Sequence, residues 1–302
     1  LMESTSRSMP IASIVARRSS TAALSLTGML LAATALSGGA ASAAEPNSLL
    51  QAETSATLEI IVVTTGVIPD VPVEFHGKHR VKHVVYSTDA FNFSEAINTG
   101  RAAATGEYLL LLNDDTSVAE PNPVTRMLEL GQIDGVGIVG CKLSYPDRRL
   151  QHVGMVLLPS GPTHCWIGKG PKEYGYFGSI LTARNYSAVT AAAMLVRTHV
   201  FDELAGFDTA FARDFNDVDF CLRARQAGYR VAWTPYAHFT HYEGATMARK
   251  ATDATEAAEF RRRWAETYPV DPYYSPALNQ QLQRESFVLA YNDVFLCTAV
   301  MA

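Results

Sequence analysis

Two short acidic runs and one histidine carry the residue types from which a reaction can be built. The first run, Asn113-Asp114-Asp115-Thr116, directly follows the apolar stretch Tyr108 to Leu112. Two adjacent carboxylates at the end of a buried segment are costly unless water, a cation or hydrogen bonds satisfy them. A hard cation such as Mg²⁺ or Mn²⁺ does this well, taking one or two carboxylates from the protein and its other ligands from a diphosphate. A turn with an Asx-type cap accounts for the same four residues without any chemistry. The second run, Asp214-Phe215-Asn216-Asp217-Val218-Asp219, opens a helical segment that continues Phe220-Cys221-Leu222-Arg223. The helix dipole favours a carboxylate there, which accounts for one acid and hardly for three. A carboxylate so held can act as a general base, taking a proton from a hydroxyl whose oxygen then attacks a sugar carbon. His241, in Thr240-His241-Tyr242-Glu243, follows a predicted strand and either completes a metal shell or is simply structural.

Alternating strands and helices are expected to position these residues. Leu58 to Val63 (LEIIVV) is a continuous apolar, β-branched run, the pattern of a strand buried on both faces of a parallel sheet. Val81 to Tyr86 reads as a second strand, and Ser94 to Ala104 as a helix with Ser94 as N-cap and Gly106 as stop. Tyr108 to Leu112 is then a buried strand, completing a βαβ-type unit. In open α/β sheets, ligands bind beyond the carboxyl ends of the strands, which is where Asn113 to Asp115 fall. Val136 to Gly140, His152 to Leu158, Ala188 to Arg197 and Tyr229 to His241 are expected strands. Asn216 to Gly228 is an expected helix that stops at Gly228.

Composition narrows the class. The 302 residues, 48% hydrophobic and 18% charged, suit one large domain or two small ones. A net charge of -5 argues against a nucleic-acid partner, because backbone binding draws on clustered Lys and Arg. Cys141, Cys165, Cys221 and Cys297 are widely spaced without a C-x-x-C pair, and are read as free thiols. His76, His79 and His83 lie close together but lack nearby carboxylate or Cys partners at ligand spacing, so solvated loop and strand-edge positions are expected. Residues 1 to 52 differ from the rest. Arg17 and Arg18 precede an apolar stretch from Thr21 to Leu36, which is followed by Ala41-Ser42-Ala43, the order of a secretory signal. A weak membrane-associating helix, or a degenerate first strand at Ile11 to Val15, reads the same segment differently.

Four ordered blocks resemble a known family: FNFSEAINTGRAAATGEYLLLLNDDT (91 to 116), SAVTAAAMLVRTHVFDELAGFD (187 to 208), FNDVDFCLRARQAGYRVAWTPYAHFTHYEGAT (215 to 246) and DPYYSPAL (271 to 278). Together they are similar to the glycosyltransferase family 2 enzymes of the GT-A fold, especially the rhamnosyltransferase-like branch of bacterial surface-polysaccharide synthesis. The resemblance implies a single α/β domain with a Rossmann-like mixed sheet flanked by helices. It spans residues 53 to 289, after the N-terminal segment 1 to 52 and before a tail, 290 to 302.

The resemblance also implies roles. Asp115 and His241 would hold Mg²⁺ or Mn²⁺, while Asn113, Asp114 and Asn98 would contact the nucleoside-diphosphate sugar, a dTDP- or UDP-sugar. Asp217 would be the catalytic base, and Ala191 to Met194 would lie near the acceptor. The implied reaction is an inverting transfer to a polysaccharide or lipid-linked glycan, in the cytoplasm or at the cytoplasmic face with peripheral membrane association. An export signal would instead place the chain outside. Two departures fall in the donor site: Val63 is followed by Thr64-Thr65-Gly66, where family members carry a nucleobase-binding Asp, and the expected first strand is missing or degraded. A catalytically inactive relative that binds glycan or protein is therefore an alternative reading. A nucleotidyltransferase fits poorly, since no G-x-G-x-x-G or Walker-type sequence is present.

Overall fold

The computed structural model describes residues 29–35, 49, 52, 56–65, 80–86, 90–242, 252–266 and 271–275. Its main sheet has the strand order β10-β12-β6-β11-β4-β1-β2-β3 among those residues. One half is parallel: β4 (Tyr108–Asn113), β1 (Met29–Ala35), β2 (Glu59–Thr65) and β3 (Arg80–Tyr86). The other half is mixed. In it, β11 (Ala193–Arg197) runs antiparallel to β4 and to β6 (Val136–Ser144), while β12 (Arg230–His241) runs parallel to β6. Two short strands join the mixed half: β5 (Thr116–Val118) pairs with β12, and β7 (Leu150–His152) pairs with β6. The edge strand β10 (Arg184–Asn185) also pairs with β12, and β8 (Met155–Leu158) and β9 (Gly161–His164) form a separate hairpin.

Burial follows from the two-residue period of a strand. In β2, Ile61 and Val63 enter one apolar cluster and Ile60 and Val62 the other; in β4, Leu109 and Leu111 oppose Leu110 and Leu112. A strand apolar on both faces must be covered on both, which gives helix, sheet and helix layers. The first cluster includes Ala96 and Ile97 of α1 (Phe93–Ala103), Val218 and Leu222 of α4 (Asn216–Gln226), and Phe260 of α5 (Ala254–Trp264). The second includes Val124, Met127 and Leu128 of α2 (Pro123–Gly131). A short helix, α3 (Thr198–Glu203), follows β11. The architecture is the α/β, Rossmann-like mixed sheet flanked by helices that the resemblance implies.

The structure differs from the sequence expectations at several points. The central first strand is present as Met29–Ala35, bonded on one side to β2 and on the other to β4. It lies inside the apolar stretch read as the heart of a signal and before the domain start expected at residue 53. The alternative strand at Ile11 to Val15, together with His76, His79, Cys297 and the tail 290–302, lies outside the described residues. The N-cap of α1 is Asn92, whose side chain accepts from the Glu95 N–H at 3.1 Å. Ser94 instead donates its hydroxyl proton to the Phe211 carbonyl at 2.6 Å, inside the core. The strand expected over His152 to Leu158 is split at Gly154, whose φ of +88° ends β7; a Cβ there would sit 2.2 Å from the Tyr186 ring. Likewise, the strand expected from Ala188 begins only at Ala193. Cys141, Cys165 and Cys221 are free thiols.

Candidate functional site

The acidic run after β4 is a tight turn into β5, and the partner of that turn is the end of β12. His241 pairs with Thr116, and the Tyr242 N–H donates to the Asp115 carbonyl at 2.8 Å. The Thr116 hydroxyl closes the turn on the Asn113 carbonyl at 2.7 Å. β12 reaches this place through an irregularity: its register on β6 shifts between Thr234 and His238. Pro235 lies in the shift, as expected of a residue that cannot donate to the ladder. Beyond the shift, pairing resumes and carries His241 to Asp115.

The His241 ring is oriented from behind. Its Nδ1 lies 2.8 Å from Gln151 Oε1, an acceptor, so Nδ1 is assigned the proton. The Asn113 amide nitrogen lies 3.4 Å from Nε2, consistent with a lone pair on that atom. Asp115 Oδ1 is 2.9 Å from the same Nε2, yet it is buried and has no hydrogen-bond partner among the described residues. A carboxylate oxygen and an imidazole lone pair therefore face each other at close range, an arrangement that a shared cation relieves. Both atoms are ligand types suited to Mg²⁺ or Mn²⁺. No group of three or more His, Cys, Asp and Glu that could hold a metal occurs among the described residues, so Asp115 and His241 could hold such a cation only with its remaining ligands supplied from elsewhere, as a diphosphate can do.

The second run resolves into three different acids. Asp214 accepts from the Asp253 N–H at 2.9 Å and pairs with Arg213. Asp219 is fully buried and meets Arg223 at 2.8 Å, Arg263 at 2.9 Å and the Trp264 indole N–H at 3.0 Å. Asp217 is half-buried, and its hydrogen-bond donors among the described residues are neutral. Its Oδ2 accepts from Ala191 N–H at 3.1 Å and its Oδ1 from Val218 N–H at 2.8 Å, with a further bond from the Thr190 hydroxyl. Burial raises the Asp217 pKa, and His164 and these three hydrogen bonds oppose the rise. A carboxyl kept more basic than usual, and with no guanidinium partner among the described residues, is the type suited to general-base work. Phe215, one residue before the helix, has φ +62° and stacks on Phe260 at 4.7 Å. A bulky residue there costs about 1–3 kcal/mol, and such strain concentrates at sites where a side chain must be aimed.

One short segment joins the two centres. Ala192 O accepts from Asn113 N–H at 3.0 Å, while Ala191 N–H and the Thr190 hydroxyl hold Asp217. The small-residue stretch expected near the acceptor thus bridges the metal motif and the base through its backbone. Asn98 is engaged elsewhere: its amide donates to Phe207 O at 2.8 Å and its oxygen accepts from Phe207 N–H at 2.9 Å. It clamps α1 to the turn before α4 and is not joined to Asn113, Asp115 or Asp217 by either of these bonds. Asp114 sits half-buried in the turn. At the end of β2, where family members carry an acid, the Thr64 hydroxyl is buried without a partner among the described residues. Gln151, Thr190, His152 and His164 escaped the sequence reading; the signal was polar Gln151-His152 inside an otherwise apolar run from Leu150 to Leu158.

The family model described as Glycosyltransferase like family 2 matches residues 48–267. The chain belongs to that family. The uncharacterized protein y4gI of Sinorhizobium fredii is 36% identical over 244 residues, covering 77% of this chain and 27% of the relative. The O-antigen biosynthesis protein RfbC of Myxococcus xanthus is 35% identical over 196 residues, covering 62% of this chain and 15% of that protein. The chain thus spans only a minor part of either curated relative. Among solved structures, the mannosyltransferase PcManGT from Pyrobaculum calidifontis, in complex with GDP-Man and Mn²⁺, aligns with a TM-score of 0.52 at 13% identity. That alignment covers 85% of this chain and 68% of the mannosyltransferase. GalNAc-T7 with UDP, GalNAc and Mn²⁺ aligns with a TM-score of 0.59 at 13% identity, over 81% of this chain and 50% of that one. At such identities the likeness speaks for the fold. Among the described residues, no helix of this family member is long and apolar enough to cross a membrane.

Proposed function

We propose that the chain is a metal-dependent, inverting glycosyltransferase that moves a sugar from a nucleoside diphosphate to a hydroxyl of a bacterial surface polysaccharide or its lipid-linked precursor. The observation that carries this reading is the pairing of two unlike centres across residues 190–192. On one side, Asp115 Oδ1 and His241 Nε2 converge at 2.9 Å, with the His241 proton assigned to Nδ1; on the other, the hydrogen-bond donors to Asp217 among the described residues are all neutral. Asp217 takes the proton of the acceptor hydroxyl, the oxygen attacks the anomeric carbon from the opposite face, and the bond to the diphosphate breaks. Asp115 and His241 would hold Mg²⁺ or Mn²⁺, which when bound supplies positive charge to the leaving diphosphate. Asn113 and Asp114 lie beside that centre and are read as donor contacts, with Asn113 also steadying the His241 ring.

The donor is read as a dTDP- or UDP-sugar, and the O-antigen protein among the relatives supports a surface-polysaccharide acceptor. Because nucleotide sugars are made in the cytoplasm, the reaction is placed there or at the cytoplasmic membrane face, with no nucleic-acid partner. The second reading, a catalytically inactive relative, draws on Thr64-Thr65 standing where family members carry an acid. Release of nucleoside diphosphate from dTDP-, UDP- and GDP-sugars, with Mn²⁺ and with a chelator, separates the two. The enzyme reading expects release from one donor class, dependent on Mn²⁺ and lost in Asp217→Asn; no release from any donor by folded protein favours the inactive relative.

A further inference from the structure

Between β9 and β10 the chain is a string of tight turns. The Lys169 N–H donates to the Trp166 carbonyl at 3.1 Å, Glu173 N–H to Gly170 at 3.2 Å, Ser179 N–H to Tyr176 at 3.0 Å and Leu181 N–H to Gly178 at 2.9 Å. Trp166 and Tyr176 pack edge to face within it, their ring centroids 4.7 Å apart. Four other apolar side chains, Ile167, Tyr174, Phe177 and Leu181, are exposed, and Phe177 is 94% so. Phe177 also has φ +52°, a left-handed conformation that bulky residues seldom adopt. Strain of this kind persists where the surroundings fix it, yet the ring it aims is left almost wholly in water.

Both ends of this segment are tied to the site. At its start, the Gly168 N–H donates to the Leu150 carbonyl at 2.7 Å and the Leu150 N–H to the Lys169 carbonyl at 2.8 Å, one residue before Gln151, which holds the His241 ring. At its end, β10 pairs with β12, and the chain runs on to Thr190 and Ala191, which hold Asp217. The charge between these ends is positive: Lys169 and Lys172, both exposed and without an ion-pair partner among the described residues, stand against the single acid Glu173 in a chain of net charge -5. A Cβ added at Gly168, Gly170 or Gly178 would meet no atom within 4 Å among the described residues, so open space surrounds the loop there. A stable protein partner needs a closely packed, shape-matched patch of about 800 Å². A bilayer instead yields around separate side chains, taking apolar groups into the acyl boundary, aromatic rings at the headgroups and Lys beside anionic lipid.

We propose that residues 166–182 are a membrane-docking loop that seats the domain on an anionic bilayer. Phe177 enters the acyl boundary with Ile167, Tyr174 and Leu181 beside it, while Lys169 and Lys172 stay at the level of the lipid phosphates. Docking through this loop brings the segment 190–192 and Asp217 to the surface on which a lipid-linked acceptor is carried. That use rests on the transferase reading; the lipid binding itself does not.

The test is co-sedimentation of the full chain with vesicles of mixed phosphatidylglycerol and phosphatidylcholine, beside vesicles of phosphatidylcholine alone. Binding to the anionic vesicles is expected, weaker at raised salt and weaker still without phosphatidylglycerol. Phe177→Asn supplies a residue that tolerates the left-handed backbone, so it should weaken binding about tenfold without lowering the unfolding temperature. Lys169→Gln combined with Lys172→Gln should weaken it by about tenfold or more. A folded chain that stays in solution beside anionic vesicles, or binds them equally well in Phe177→Asn, overturns the proposal. So does a chain that self-associates through Phe177 and ignores lipid. Nucleoside diphosphate release keeps the two readings apart: vesicle binding without release retains the docking loop and removes its use at the acceptor, whereas release without vesicle binding removes the loop and leaves the transferase.

Discussion

Asp217 and Asp219 both stand in the first turn of helix α4, two positions apart, and their surroundings could hardly differ more. Asp219 faces α5, fully buried among Arg223, Arg263 and the Trp264 indole. Asp217 faces the segment 190–192, and among the described residues its donors, Ala191, Thr190 and Val218, are neutral. The first arrangement neutralises a charge so that two helices can pack. The second leaves the charge available. An acid that is completely paired holds a fold together, whereas an acid held by neutral donors alone can still accept a proton from something else.

Substitutions at the two positions break this contrast in opposite ways. Asp217→Asn should lower transfer by about 10²–10⁴-fold, the usual worth of a general base, as read by nucleoside diphosphate release. Its thermal stability should hold. Because burial raises the Asp217 pKa in the folded state, the native protein binds more protons than the unfolded chain between the unfolded and folded pKa values. Stability contributed by this group is present at low pH and lost as pH rises through that window, so the neutral amide should be as stable or more stable above it. Asp219→Asn does the reverse: leaving Arg223 and Arg263 without their shared partner should cost about 3–5 kcal/mol in denaturant unfolding.

Smaller effects sharpen the comparison on the metal side. Gln151→Ala frees the His241 ring without touching either ligand, and should weaken Mn²⁺-dependent nucleotide binding by about 10–100-fold in calorimetric titration. Asn98→Ala should cost about 1–3 kcal/mol of stability, since it strands the Phe207 backbone groups, and should leave nucleotide affinity unchanged. A loss of nucleotide affinity at Asn98 would restore it as a donor contact.

Much of the parallel half was legible because β2 and β4 are apolar on both faces, as a short strand covered by helices above and below must be. β1 was not, since Met-Leu-Leu-Ala-Ala-Thr-Ala suits a central strand and the core of an export signal equally well, and the preceding Arg pair favoured the signal. The acids were visible as clusters, but nothing in the run Asp214 to Asp219 says which one meets an arginine 44 residues away. The role of Asn98 was hidden for the same reason: its partner Phe207 is 109 residues distant. Gln151 and Thr190 act through the ring and the backbone they hold, and carry no local spacing to betray them.

The measurement that bears most directly on the transferase reading is thermal unfolding of the chain with UDP, dTDP and GDP, each with and without Mn²⁺, beside Asp115→Asn. A nucleotide at about 100 times its dissociation constant adds about 2.7 kcal/mol to the native state. The expected result is a rise with one nucleotide that requires Mn²⁺ and disappears in Asp115→Asn. A folded protein that shows no rise with any of the three, or a rise indifferent to both Mn²⁺ and Asp115, would contradict it.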